Sequence, residues 1–165
     1  MNLVLTRIDN RLIHGQVLEA WIPFVKADCI VVANDEIATN QLKKMMMQAS
    51  VPSRIRVEIG SVDASIALLR SSQLNHCRTL LLFGNPADAV RAHQAGLNYT
   101  KLNLGNLHAD NWQAQLSCTL FLDATDLADL EILDKAGIKI TSRCIPADGE
   151  RSWKKLIPVP KGKRK

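Results

Sequence analysis

The chain has 165 residues, 47% of them hydrophobic and 22% charged, enough for one packed core and too few to divide comfortably into two. Its formal charge of +5 is uneven: residues 1–150 hold 14 Lys and Arg against 16 Asp and Glu, whereas residues 151–165 hold seven basic residues and no acid. A mildly acidic body with only three Trp, one Tyr and three Phe argues against a basic, base-stacking nucleic-acid surface, and no apolar run approaches the roughly 20 residues that span a bilayer.

In chain order, strands are predicted at Asn2–Ile8, Cys29–Ala33, Arg54–Ile59, Thr79–Phe83, Lys101–Leu104, Thr119–Leu122 and Ile138–Ser142, where short runs rich in Val, Ile and Leu recur. After the first strand a helix begins near Gly15, with Val17, Leu18 and Trp21 on its apolar side. Ser61 caps a helix through Ile66 and Leu69, and Asn85-Pro86-Ala87-Asp88 supplies a cap, a first-turn proline and a favourable acid for the next, which Gly96 closes. Thr125 or Asp126 caps a helix with Leu127, Leu130 and Leu133 on one face, ended by Gly137. Leu104 to Cys118 is too short for a full helix, and Gly105-Asn106-Leu107-His108 reads as an ordered loop. Strand–helix alternation implies an α/β fold: an open, mostly parallel, twisted sheet with helices on both faces, its functional loop following strand one. The expected organisation is one domain over residues 1–160 and a basic, flexible tail at 161–165, with Trp153, Leu156 and Ile157 packing Arg151–Val159 onto the body.

The N-terminus meets charge at once and lacks a signal-peptide core, so a cytoplasmic location is expected. Cys29, Cys77, Cys118 and Cys144 form no C-x-x-C; no metal site is signalled, and three of them, within or beside apolar runs, read as small buried hydrophobes. There is no G-x-G-x-x-G after a strand, no phosphate-binding G-x-x-x-x-G-K-[ST] and no nucleophile elbow, so no cofactor is expected.

The chemistry concentrates in Arg7-Ile8-Asp9-Asn10-Arg11-Leu12-Ile13-His14-Gly15-Gln16-Val17. A neutral imidazole is a competent nucleophile toward phosphorus, and the phosphoimidazole keeps a reactive P–N bond. Such a ring must be exposed and its load met by positive charge. Arg11, with Arg7 as weaker support, and the free N–H groups of the Gly15–Val17 turn supply that charge, while Gly15 permits close backbone approach. Asp9 would hold Arg11 or a ring N–H. From spacing alone, the same residues also describe a histidine hydrogen-bonded at a helix start. His93 reads as a helix-surface residue, His76 as a loop residue at the far edge, and His108 as a structural loop residue, with a place at the border of the same cleft as the second reading.

This loop resembles the phosphorylation-site signature of enzyme IIB subunits of the mannose, sorbose and N-acetylgalactosamine class of the bacterial sugar phosphotransferase system. The similarity continues through Val31–Glu36, Leu82–Pro86, Leu102–His108 and Ala136–Ile138. The resemblance implies a phosphoryl carrier that accepts phosphate from a phosphohistidine on enzyme IIA and delivers it to a sugar held by the membrane subunits IIC and IID. It implies His14 as the phosphorylated residue at Nδ1, Arg11 as a ligand of the phosphoryl oxygens, and Gly15 and Gln16 as donors around them. Asn85 and the Gly105-Asn106 turn complete the cleft in this reading. Two departures stand out: Asn10 where many relatives carry Asp, and the Lys-rich terminus. The docking partner should cover an apolar rim around Leu12 and Ile13, and the tail at 161–165 offers weak contact with anionic lipid. The alternative is a non-catalytic regulatory or nucleic-acid-binding α/β module; a receiver would need an acceptor Asp ending strand three, where Glu58, Ile59 and Gly60 stand.

Overall fold

The computed structural model describes residues 1–157, so the segment 161–165 set apart above lies outside the described residues. Strands β1 (Leu3–Ile8), β2 (Cys29–Ala33), β3 (Arg56–Gly60), β4 (Thr79–Phe83) and β5 (Lys101–Leu104) form on the apolar runs. They are followed by β6 (Leu107–His108), β7 (Ala114–Ser117), β8 (Leu120–Leu122), β9 (Lys139–Ser142) and β10 (Arg151–Ser152). A π-helical turn at Val17–Trp21 leads directly into α1 (Ile22–Val25). The remaining helices are α2 (Asp35–Thr39), α3 (Gln41–Ser50), α4 (Val62–Arg70), α5 (Pro86–Gln94) and α6 (Ala124–Lys135).

The main sheet has the order β10-β9-β5-β1-β4-β2-β3, parallel except for β10. β2 and β4 are buried along their whole length, as expected of parallel strands covered on both faces. Alternate residues enter opposite cores: Cys29, Val31, Leu81 and Phe83 face α4, α5 and α6, whereas Ile30, Val32, Leu80 and Leu82 face Val17, Trp21 and Ile22. Because β4 and β5 flank β1, the loops leaving these three strands lie side by side at their C-terminal ends.

Several expectations are corrected. The Thr119–Leu122 strand forms as β8 but sits outside the main sheet, in a three-stranded sheet of order β6-β8-β7; the segment before it holds two short strands rather than a plain loop. Leu107, Ala114, Leu116, Leu120 and Leu122 drive this, since they bury one side of the small sheet on the core. The cap of α6 is Asp123, which accepts from the Asp126 N–H while Asp126 accepts back from Asp123, a reciprocal pair that removes Thr125 and Asp126 as cap. The caps at Ser61 and Asn85 form as read. Of the cysteines only Cys29 is fully buried; Cys77 and Cys144 are half-buried and Cys118 is exposed. Trp153 is buried and donates from Nε1 to Asp134 at 3.2 Å, so the chain packs on the body up to Ile157, and the last two residues of Arg151–Val159 lie outside the described residues.

Candidate phosphoryl-transfer site

β1 ends in buried charge. Arg7 and Asp9 are both 0% exposed, and Arg7 Nε and Nη2 donate to Asp9 Oδ2 at 3.2 and 2.9 Å. The other guanidinium donors go to Asn103 Oδ1 and the carbonyl oxygens of Arg143 and Cys144. All five N–H bonds of the side chain are thereby engaged. Its face lies 5.1 Å from the centre of Trp21, whose Nε1 donates to the same Cys144 carbonyl at 2.9 Å. Arg7 therefore has no donor left for a phosphoryl group, which corrects its expected role as a phosphate ligand. It reaches the site only through Asp9.

Asp9 gathers the loop around itself. Its Oδ1 accepts the Arg11 backbone N–H at 3.1 Å, and its Oδ2 accepts Asn106 Nδ2 at 3.0 Å and His14 Nε2 at 2.9 Å. Burial alone would push this carboxyl up, but the hydrogen bond from His14, the Arg7 charge and the Asn106 amide together hold it below the usual carboxylate range. A carboxylate only accepts, so in the neutral ring His14 Nε2 carries the proton and Nδ1 the lone pair. Nδ1 has no hydrogen-bond partner and is shielded from solvent. The His14 side chain is 7% exposed, so the ring is poised but covered rather than open as expected.

The turn between Asp9 and His14 is held by packing as well as charge. Leu12 adopts the left-handed conformation, φ 55°, and its N–H bonds to the Asp9 carbonyl at 2.9 Å. Leu12 and Ile13 are buried with Val17 and Trp21, so they anchor the loop and do not form the apolar docking rim expected of them. Asn10 and Arg11 are exposed at the tip, and among the described residues the Arg11 guanidinium has no hydrogen bond or ion pair. The first helical bond runs from Leu18 N–H to the His14 carbonyl at 3.1 Å, leaving the Gly15, Gln16 and Val17 N–H groups without a protein partner among the described residues. A Cβ on Gly15 would meet nothing within 4 Å, so internal packing gives no reason for glycine there.

The β5 loop completes the wall. Asn106 also donates to Gln16 Oε1 at 3.3 Å, and its carbonyl accepts the Asn10 N–H at 2.8 Å. Gly105 lies against the Arg7 guanidinium, where any Cβ would overlap its nitrogens. Asn85 is turned to its helix: its Oδ1 caps α5 at Asp88 N–H, 2.8 Å, and one Nδ2 hydrogen bonds the Asp88 carboxylate at 3.2 Å. The second Nδ2 hydrogen is the one donor left for its expected phosphate contact. His108 lies in β6, a strand rather than a loop, with its ring 4.8 Å from Phe121. His93 packs edge-on against Tyr99. Asn103, Trp21 and the Arg143 and Cys144 carbonyls were not foreseen as supports of the site; a buried arginine ending a strand requires acceptors, and Asn103 opposite it in β5 was the readable signal.

Residues 3–165 match the family described as PTS system sorbose subfamily IIB component. The chain belongs to this family of phosphotransferase-system IIB components. This IIB chain is 32% identical over 156 residues to N-acetylgalactosamine-specific phosphotransferase enzyme IIB component 2 of Escherichia coli, covering 94% of this chain and 99% of that one. It is 31% identical to the fructose-specific EIIB component of Bacillus subtilis, over 95% and 96% of the two chains. The IIB domain of the sorbose permease of Klebsiella pneumoniae superposes with a TM-score of 0.89 at 28% identity, covering 94% and 96%. A IIB component of this class is a phosphotransferase subunit with a phosphoryl-carrier role in sugar transport.

Proposed function

We propose that His14 accepts a phosphoryl group at Nδ1 from a phosphohistidine on a IIA protein and passes it to a sugar held by membrane subunits IIC and IID. The observation that carries this reading is the Nε2–Asp9 contact of 2.9 Å, which leaves Nδ1 as the free lone pair. In the first step the Nδ1 lone pair forms a bond to phosphorus while the P–N bond to the donor imidazole breaks, its electron pair returning to that ring. In the second step a sugar hydroxyl attacks phosphorus, the P–N bond to His14 breaks, and the hydroxyl proton leaves to base.

Arg11 and the unpartnered N–H groups of Gly15, Gln16 and Val17 meet the phosphoryl oxygens, and Asp9 offsets the positive charge that develops on the ring. Gln16 and Asn106 brace the loop with Asn10 at its tip, and Gly105 gives Arg7 room to hold Asp9. Because Nδ1 is shielded, acceptance requires the ring or the loop tip to shift when the donor docks. No step calls for a metal or a nucleotide. Residues 1–160 act as one carrier domain on the cytoplasmic side, held at the membrane by IIC and IID; among the described residues no helix is long and apolar enough to cross a bilayer.

The test is labelling from phosphoenolpyruvate with the general phosphotransferase proteins and the cognate IIA. An acid-labile, base-stable phosphohistidine is expected in the wild type and none in His14→Ala; label that persists in the variant overturns the assignment.

A further inference from the structure

The main sheet opens on one face. β1 pairs with β5 only at Arg7↔Asn103 and Ile8↔Leu104, so the two strands separate over Leu3–Thr6. Leu102, Leu104 and Ile140 point into the core on the other side, whereas α1 borders this face only along β1. The result is a cleft of about 670 Å³ between α1 and the β5–β9 pair, in the range of small-molecule sites.

Its chemistry is specific. Lys101 and Lys139 occupy paired positions on neighbouring strands and both line the cleft, an arrangement of like charges that costs stability unless an anion meets it. Lys139 is met in part by Glu150 at 3.4 Å; Lys101 has no acidic partner among the described residues. Arg143 adds a third cation against that single carboxylate. One row further along the strands stand Thr141, with its hydroxyl, and Asn103, whose Oδ1 is taken by Arg7 and whose Nδ2 gives one hydrogen to the Arg143 carbonyl at 3.4 Å and keeps the second. On the aromatic wall Phe24 carries the Arg143 guanidinium on one face at 5.1 Å and makes an edge contact with Trp21 at 6.0 Å.

We propose that this cleft binds a phosphorylated, polyhydroxylated small molecule of the sugar phosphate class, its phosphate between Lys101 and Lys139 and its hydroxyls on Asn103 and Thr141. The cleft communicates with the phosphoryl loop. Asn103 and Arg143, which line it, are acceptors of Arg7, and Trp21 shares the Cys144 carbonyl with Arg7. A ligand that pulls on these groups shifts Arg7, hence Asp9, hence the His14 ring. Binding stands on the cleft alone, and only its consequence for phosphoryl transfer rests on the His14 reading. The product of sugar uptake through this system would thus bear on the carrier.

The test is titration of unphosphorylated protein with fructose 6-phosphate, mannose 6-phosphate and N-acetylgalactosamine 6-phosphate, followed by NMR with the His14 ring signals in view. At least one should bind with Kd below about 1 mM, and the free sugar or inorganic phosphate at least about tenfold more weakly. Lys101→Ala, at an exposed strand residue, should keep the fold and weaken binding about tenfold. The His14 ring signals should move with saturation in the wild type and by about half as much in Lys101→Ala at ten times the wild-type Kd. Absence of binding by all three, equal binding of inorganic phosphate, or unchanged affinity in Lys101→Ala overturns the site. His14 signals that stay still at saturation overturn the coupling. Since no phosphorylated protein is used, none of these results depends on whether His14 accepts phosphate.

Discussion

The site depends on one carboxylate doing two jobs. Asp9 neutralises a fully buried arginine and fixes the proton on His14 Nε2, and both bonds fall on the same Oδ2 atom. Asp9→Asn keeps the shape and removes the charge: Arg7 and Asn106 still donate to the Oδ2 position, so the amide oxygen takes it, the His14 tautomer holds, and both the buried Arg7 and the developing imidazolium lose their anion. Transfer should fall by at least about 10². Nitrogen chemical shifts of the His14 ring report the tautomer directly; a variant whose ring proton moves to Nδ1 shows that Asp9 acts through the tautomer instead. Arg11 is different in kind, an exposed charge with no internal partner among the described residues. Arg11→Ala should leave the urea midpoint unchanged and slow transfer by about 10²–10³, the usual cost of one lost contact to a developing anion. Gly15→Ala separates packing from function, because its Cβ enters empty space. Stability should hold or rise by up to about 1 kcal/mol, while single-turnover transfer slows as the methyl group meets the phosphoryl oxygens or the donor.

Elements explain which parts of this arrangement could be read in advance. Strands such as Cys29–Ala33 and Thr79–Phe83 were legible because burial on both faces writes a nearly unbroken apolar run, and the Asn85-Pro86 start was legible because capping is local chemistry. The small sheet was not, because β6 has two residues and β7 alternates Ala114, Gln115, Leu116, Ser117, a pattern too short to outweigh its polar surroundings. His14, Arg11 and the loop after β1 were legible as a chemical grouping, but burial was not: sequence gives a charge and does not say whether its donors are already spent, as they are on Arg7, or whether Leu12 and Ile13 face solvent or core. The contact between β5's loop and β1 offers a test at this scale. A Cβ on Gly105 would overlap the Arg7 guanidinium, so Gly105→Ala must displace Arg7 and leave buried charge unpaired. A loss of about 3–5 kcal/mol in urea unfolding is expected, and a loss under about 1 kcal/mol shows that Arg7 has room to move.

For the whole molecule, carboxylates shifted in opposite directions set the response to acid. Burial raises Asp88, Asp126 and Asp129, so their contribution to stability is present in acid and is lost as pH rises through their folded values. Asp9 and Asp134 are lowered, Asp134 by the Lys154 ammonium at 2.6 Å and then by Trp153 Nε1–H. Their contribution is fully present above the unfolded carboxylate value near 4 and disappears as pH falls through the folded values. Asp134 ties Trp153 and Lys154, and with them the C-terminal segment, to α6, so its share can be isolated on the surface without disturbing the phosphoryl site. Asp134→Asn should cost at most about 1 kcal/mol at pH 7, since the pair is open to solvent, and the difference from wild type should start to narrow below about pH 4 and close only below the lowered folded value, where the native aspartate is itself protonated. Urea midpoints at pH 7 and pH 3 measure this. A gap of the same size at both pH values assigns the effect to the lost Trp153 hydrogen bond rather than to charge.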